Sequence, residues 1–84
     1  MYYVYILQSN KNKKLYTGYT KNLKRRLKEH ELGKVHTTKT MLPINLVFYE
    51  SFLSKKDAQR REHYLKTSKG KSTLKMMLRC SLKN

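Results

Sequence analysis

Eighty-four residues with 20 Lys and Arg against 5 Asp and Glu, a formal net charge of +15, point to one small domain, residues 1–84, whose positive field selects an anionic polymer as partner. The single cysteine, Cys80, excludes an internal disulfide, and the three histidines, His30, His36 and His63, lack the spacing of a metal-binding cluster. The longest apolar stretch, Val4 to Leu7 with its flanking tyrosines, is too short for a signal peptide or a membrane span, and without Trp or a broad apolar helix face an acidic membrane is a poor rival to nucleic acid, so a cytoplasmic nucleic-acid binder is expected.

Tyr2 to Leu7 is a β-branched and aromatic run suited to a mostly buried strand. The polar segment Ser9 to Lys14 is a turn, and Leu15 to Tyr19 reads as a second strand returning antiparallel to the first, with Gly18 marking a bulge or a close backbone approach. Thr20 is placed to cap a helix over Lys21 to Leu32, which carries Leu23, Leu27 and His30 on one face and stops at Gly33. Arg26 and His30 form an i, i+4 pair at the margin of that face. Lys34 to Leu42 reads as a basic loop whose Thr37, Thr38 and Thr40 can donate hydrogen bonds to phosphate oxygens. After Pro43, Leu46 to Phe52 makes a third strand. Ser54 and Asp57 form a capping box at the start of a helix over Lys55 to Lys66. A last helix, from Ser72, puts Leu74, Met77 and Leu78 on one face, and Cys80 is expected to be a small buried hydrophobe. The fold class is α+β, a small, mainly antiparallel three-stranded sheet flanked by helices.

One acid stands out. Glu62 lies four residues after Ala58 and three before Leu65, so the three share the inward face of their helix. From Lys55 to Asn84 it and Asp57 are the only acids among ten Lys and Arg. An exposed pair with Arg61 or Lys66 would be worth little; a carboxylate aimed into a site would be worth much more to chemistry. Taken singly, the other candidates have plain readings as well: Tyr5 and Tyr16 as core aromatics with one wet end, Arg26 as a solvated cation or a partner of Glu62, and His30 as a packing histidine near a helix end.

In order and spacing, Tyr3-Val4-Tyr5, Tyr16-Thr17-Gly18, the helix from Lys21 to His30 and the helix centred on Glu62 together resemble the GIY-YIG nuclease superfamily, in particular its small single-domain bacterial (UPF0213-like) members, over nearly the whole chain. Tyr3 stands in place of the first motif's glycine and Thr17 in place of the second's isoleucine. Where many members carry a supporting asparagine late in the domain, this chain offers Lys66, Ser68 and Lys69.

The resemblance implies the GIY-YIG fold and a metal-dependent endonuclease that hydrolyses DNA phosphodiester bonds with structure-directed or no sequence preference. Such hydrolysis needs an activated water, charge stabilisation on the phosphoryl oxygens and relief of charge on the leaving oxygen. By resemblance, Glu62 holds a single Mg²⁺ or Mn²⁺, Arg26 engages the phosphate and Tyr16 orients the water. Tyr5 supports the site or acts as its base, and His30 relays protons. Tyr19, Lys21, Lys24, Lys39, Lys66 and Lys69 are the expected nucleic-acid contacts. The resemblance reveals no attached DNA-binding domain, so a protein partner is one source of specificity. The alternative is a non-catalytic DNA- or RNA-binding module of the same fold.

Overall fold

The first strand, β1 (Tyr2–Ser9), is buried on both faces, because Val4, Tyr5, Ile6 and Leu7 are each at most 1% exposed. A continuous apolar run suits a central strand covered on both sides. In the computed structural model, which describes residues 1–82, β1 lies between β2 (Leu15–Thr20) and β3 (Ile44–Phe52), antiparallel to both. The last two positions of the expected 1–84 domain lie outside the described residues.

Side-chain alternation along β1 sorts the molecule into two layers. Val4 and Ile6 point to one face and pack with Ala58 and Leu65 of α3 (Lys55–Leu65) and with Leu74 and Leu78 from α4 (Ser68–Met77) and its end; Tyr2, Tyr19, Phe48 and Phe52 close over this core. Tyr3, Tyr5 and Leu7 point to the other face, over which α1 (Leu23–Glu31) and the single turn α2 (His36–Lys39) lie. A half-buried ion pair, Arg61 Nε to Glu50 Oε1 at 2.5 Å, joins α3 to β3, and Tyr64 and Thr73 share a hydroxyl–hydroxyl bond of 3.0 Å that joins α3 to α4.

Several boundaries move for identifiable reasons. Thr20 is the last residue of β2, paired with Tyr3, and its hydroxyl accepts from the Asn22 amide; the cap of α1 falls to Asn22, whose Oδ1 accepts from Arg25 N at 3.1 Å. At the other end Gly33, at φ 73°, closes a Schellman turn in which Gly33 N donates to His30 O and Lys34 N to Glu29 O. The expected basic loop contains α2, because Val35 and Thr38, three residues apart, are both buried and fold the chain into one turn between them. β3 begins two residues earlier than expected, at Ile44, where Asn45 donates to Asn10 Oδ1 across the sheet end. Helix α4 starts four residues earlier, at Ser68, because Thr67 caps it with a bond from Gly70 N of 3.0 Å. Its buried line is Gly70, Leu74 and Leu78, which turns Met77 out to 44% exposure. Cys80 is exposed.

Gly70 is where α4 meets the end of α3. A Cβ there would overlap the Tyr64 carbonyl oxygen and sit 2.6 Å from Leu65 Cα, backbone atoms that cannot rotate away. In an open helix position Ala is favoured over Gly by about 1 kcal/mol. At this contact the sign reverses: Gly70→Ala is expected to lose roughly 1–3 kcal/mol, seen by circular dichroism as a thermal midpoint lower by several degrees.

Candidate active site

The site is built around one phenol. Tyr5 sits in the middle of the central strand, with Gly18 of β2 opposite it on one side and Tyr49 of β3 on the other. Its ring leans over Gly18: a Cβ at that position would overlap the Tyr5 hydroxyl and Cζ and lie 2.8 Å from Cε1. The glycine is therefore a close backbone approach, one of the two readings its place in the strand allowed, and it makes room for a fully buried tyrosine whose hydroxyl needs a partner.

That partner is His30, also fully buried, on the last turn of α1. Tyr5 Oη lies 2.8 Å from His30 Nε2, and His30 Nδ1 lies 2.6 Å from Thr38 Oγ1 on α2. Tyr16 completes the group, its ring 5.3 Å from the imidazole and 6.4 Å from the Tyr5 ring. A neutral imidazole donates through one nitrogen and accepts through the other. With Nδ1 protonated, His30 donates to Thr38, whose hydroxyl donates in turn to Val35 O at 3.5 Å, and Tyr5 donates to Nε2. With Nε2 protonated, the chain runs the other way: Thr38 donates to Nδ1 and Nε2 donates to Tyr5, whose own proton no longer faces His30. The 3.5 Å bond is too long to fix the direction, so the geometry accommodates either tautomer of His30.

Burial pushes the Tyr5 hydroxyl up to about 12 from an ordinary 10; the Arg26 guanidinium opposes this, while Tyr16 and the Glu62 carboxylate add to it. At neutral pH Tyr5 is a protonated phenol. Burial also lowers the His30 pKa, helped by the positive charge of Arg26, so His30 is neutral as well. Arg26, half-buried on α1, donates to Glu29 Oε1 at 2.9 Å, which raises its own pKa and lowers that of Glu29. Glu62, its side chain 23% exposed, pairs with Lys66 Nζ at 3.0 Å. The two groups therefore do not pair with each other: each is held by a neighbour on its own helix. Among the described residues no group of three or more His, Cys, Asp and Glu is placed to hold a metal ion.

The structure thus brings His30 and Tyr16 against Tyr5 in direct contact, while Arg26 of α1 and Glu62 of α3 bear on the Tyr5 hydroxyl by charge. The expected nucleic-acid contacts are dispersed. Lys21 and Lys24 line an open cleft at the start of α1, Lys39 is exposed on α2 and Lys69 in the first turn of α4, and Lys66 is engaged with Glu62. Tyr19 is on the opposite face of the sheet, stacked on Tyr2 at 6.4 Å with the rings 4° from parallel and packed against the core, since it pairs with Val4, one residue off the Tyr5–Gly18 pair. Thr38 is not a phosphate donor. It is fully buried and engaged with His30, a role the Thr-rich stretch does not signal because only the packing of α2 under α1 reveals it.

Residues 1–75 match the family model described as the GIY-YIG catalytic domain. A UPF0213 protein of Staphylococcus haemolyticus is 46% identical over 77 residues, covering 90% of this chain and 93% of that one. Another from Clostridium perfringens is 40% identical over 84 residues, covering 99% and 89%. In three dimensions the chain is similar to the solution NMR structure of a UPF0213 protein from Bacillus halodurans, with a TM-score of 0.57 and 37% identity over 92% of this chain and 85% of that one. No described helix is long and apolar enough to cross a membrane.

The two buried groups leave opposite marks on stability. The folded chain keeps His30 neutral where the unfolded chain takes up a proton, so this contribution is complete above about pH 6.5 and is lost as pH falls through the lowered folded value. It keeps Tyr5 protonated where the unfolded chain loses the proton, so that contribution is complete below pH 10 and lost as pH rises from 10 to about 12. Chemical denaturation of wild type and Tyr5→Phe is expected to show wild type losing about 2 kcal/mol relative to the variant across that alkaline interval.

Proposed function

This chain belongs to the GIY-YIG nuclease superfamily, and on that premise we propose that it is an endonuclease that hydrolyses DNA phosphodiester bonds with one divalent ion, acting on DNA structure or without sequence preference. The observation that carries the reading is the buried Tyr5–His30 bond with the Tyr16 ring beside both, set where the charges of Arg26 and Glu62 are felt. Phosphoryl transfer has a use for each of these groups.

In this reading the Arg26 guanidinium leaves Glu29 for the non-bridging oxygens of the scissile phosphate, a better bidentate partner than an exposed carboxylate. Tyr16, half-buried, orients the attacking water. Tyr5 stays protonated and works as a hydrogen-bond donor whose direction is set through His30 and Thr38, because a hydroxyl near 12 is a poor base at neutral pH. Glu62 would hold Mg²⁺ or Mn²⁺. One half-buried carboxylate, paired with a displaceable Lys66, fits a hard cation that keeps most of its water and takes further oxygens from substrate, and the donor set does not fit a nitrogen- or sulfur-bound metal. Such an ion, when bound, neutralises charge on the leaving oxygen. The exposed lysines Lys21, Lys24, Lys39 and Lys69 supply affinity for backbone, and a cytoplasmic setting, with a protein partner adding selectivity, completes the reading. The Glu62–Lys66 pair favours a second reading, a binding module of the same fold that does not cut and takes DNA or RNA.

One experiment separates the two. Supercoiled, branched and single-stranded DNA are incubated with protein in Mg²⁺ or chelator. Cleavage by wild type is expected only with metal, and Glu62→Ala or Arg26→Ala should lower its rate about a hundredfold or more. Wild type no more active than Glu62→Ala would leave the binding module. Without metal, Glu62→Ala should bind DNA more tightly than wild type, because a carboxylate that repels phosphate is gone.

A further inference from the structure

Tyr3 opens the first sequence motif, yet it is not part of the Tyr5–His30–Thr38 chain. It lies on the same sheet face as Tyr5, and its ring is 6.1 Å from that of Tyr49, tilted by 58°. Tyr49 is 52% exposed, although a ring of this size is normally covered. Both rings border an open cleft of about 420 Å³ whose other walls are Leu23 and Leu27 of α1, its cap Asn22, and Lys21 and Lys24. Among the described residues neither lysine has a carboxylate partner, unlike Arg25, Arg26, Arg60, Arg61 and Lys66.

We propose that this cleft is a stacking subsite for one unpaired nucleobase, with Tyr49 and Tyr3 as the platform and Lys21 and Lys24 on the flanking phosphates. The volume suits a group of nucleobase size. Exposed aromatic rings beside unpaired cations are the combination by which single-stranded nucleic acid is held, since every base has a π-face and every linkage a negative charge. A paired base cannot use such a platform, because its faces are already stacked in the duplex. The chain accordingly favours substrates with an unpaired nucleotide: single strands, flaps, gaps or branch points. The inference deepens the nuclease reading by naming a substrate class, and rests on it only in taking the occupant to be nucleic acid.

The test is made in chelator, so that cleavage plays no part, by fluorescence anisotropy with a short labelled oligothymidylate and with a hairpin duplex of equal phosphate number. Wild type is expected to bind the single strand more tightly. Tyr49→Ala and, independently, Tyr3→Ala should each weaken single-strand binding about tenfold and barely change duplex binding, while Tyr49→Phe keeps the ring and behaves as wild type. Lys21→Ala and Lys24→Ala should weaken both ligands alike and each reduce the salt slope by about one. The proposal is overturned if wild type does not prefer the single strand, if Tyr49→Ala and Tyr3→Ala leave that preference unchanged, or if Tyr49→Phe is as weak as Tyr49→Ala. Absence of metal-dependent cleavage would sink the nuclease reading and leave this comparison intact; loss of the preference would do the reverse.

Discussion

The buried hydrogen bond between the Tyr5 hydroxyl and His30 organises the functional face of this molecule. A tyrosine in the central strand, covered on both sides, must find a partner for its hydroxyl or bear the cost of an unsatisfied polar group, on the order of 1–3 kcal/mol. The partner is the end of α1, brought down onto the sheet where Gly18 leaves room for the ring. His30 in turn needs a partner for its second nitrogen, and Thr38 supplies it, which is why a turn of helix stands where a loop was expected. One hydroxyl thereby ties together β1, β2, α1 and α2. Among the described residues no buried side-chain polar atom is left without a partner.

The two faces of the sheet divide the labour. Toward α3 and α4 the packing is apolar and holds the fold; toward α1 and α2 it is polar, and the same burial that completes the hydrogen bonds moves the titrations of Tyr5 and His30. The few acids are placed economically. Glu29 holds Arg26, Glu50 holds Arg61, Asp57 pairs with Arg60, and Glu62 is the one whose charge is also felt at Tyr5. Against a net charge of +15, a negative group in such a place is conspicuous. Its pair with Lys66 is exposed enough to exchange, so a dication or a substrate phosphate can compete for either member.

The succession of strands and helices along the chain, the helix over Glu62 and the inward stripe of Ala58 and Leu65 were legible because each rests on local rules of alternation, capping and helical spacing. Two of the misreadings share one cause, that tertiary contacts outweigh local preference. Thr20 is a good cap by type but is held in β2 by its pairing with Tyr3, and Met77 is apolar but lies beside the line that Gly70 and Leu74 turn inward. Tyr19 is a plausible contact for nucleic acid by composition, yet its parity in β2 sends it to the core face. Lys66 is an expected phosphate contact, but it takes the pairing with Glu62 that helical spacing also allows.

By itself the sequence determined the charge, the order of the elements and the spacing of two tyrosine motifs, an arginine helix and a glutamate helix, because these depend only on residue types and on short-range periodicity. It could not decide which groups share a hydrogen bond. That His30 closes onto Tyr5, that Thr38 lies beneath His30, and that Tyr3 meets Tyr49 across neighbouring strands are matters of distance between separate segments of the chain, whereas the neighbours that hold Arg26 and Glu62 lie within one helical turn of each. Only the folded arrangement of the sheet and its helices sets those distances.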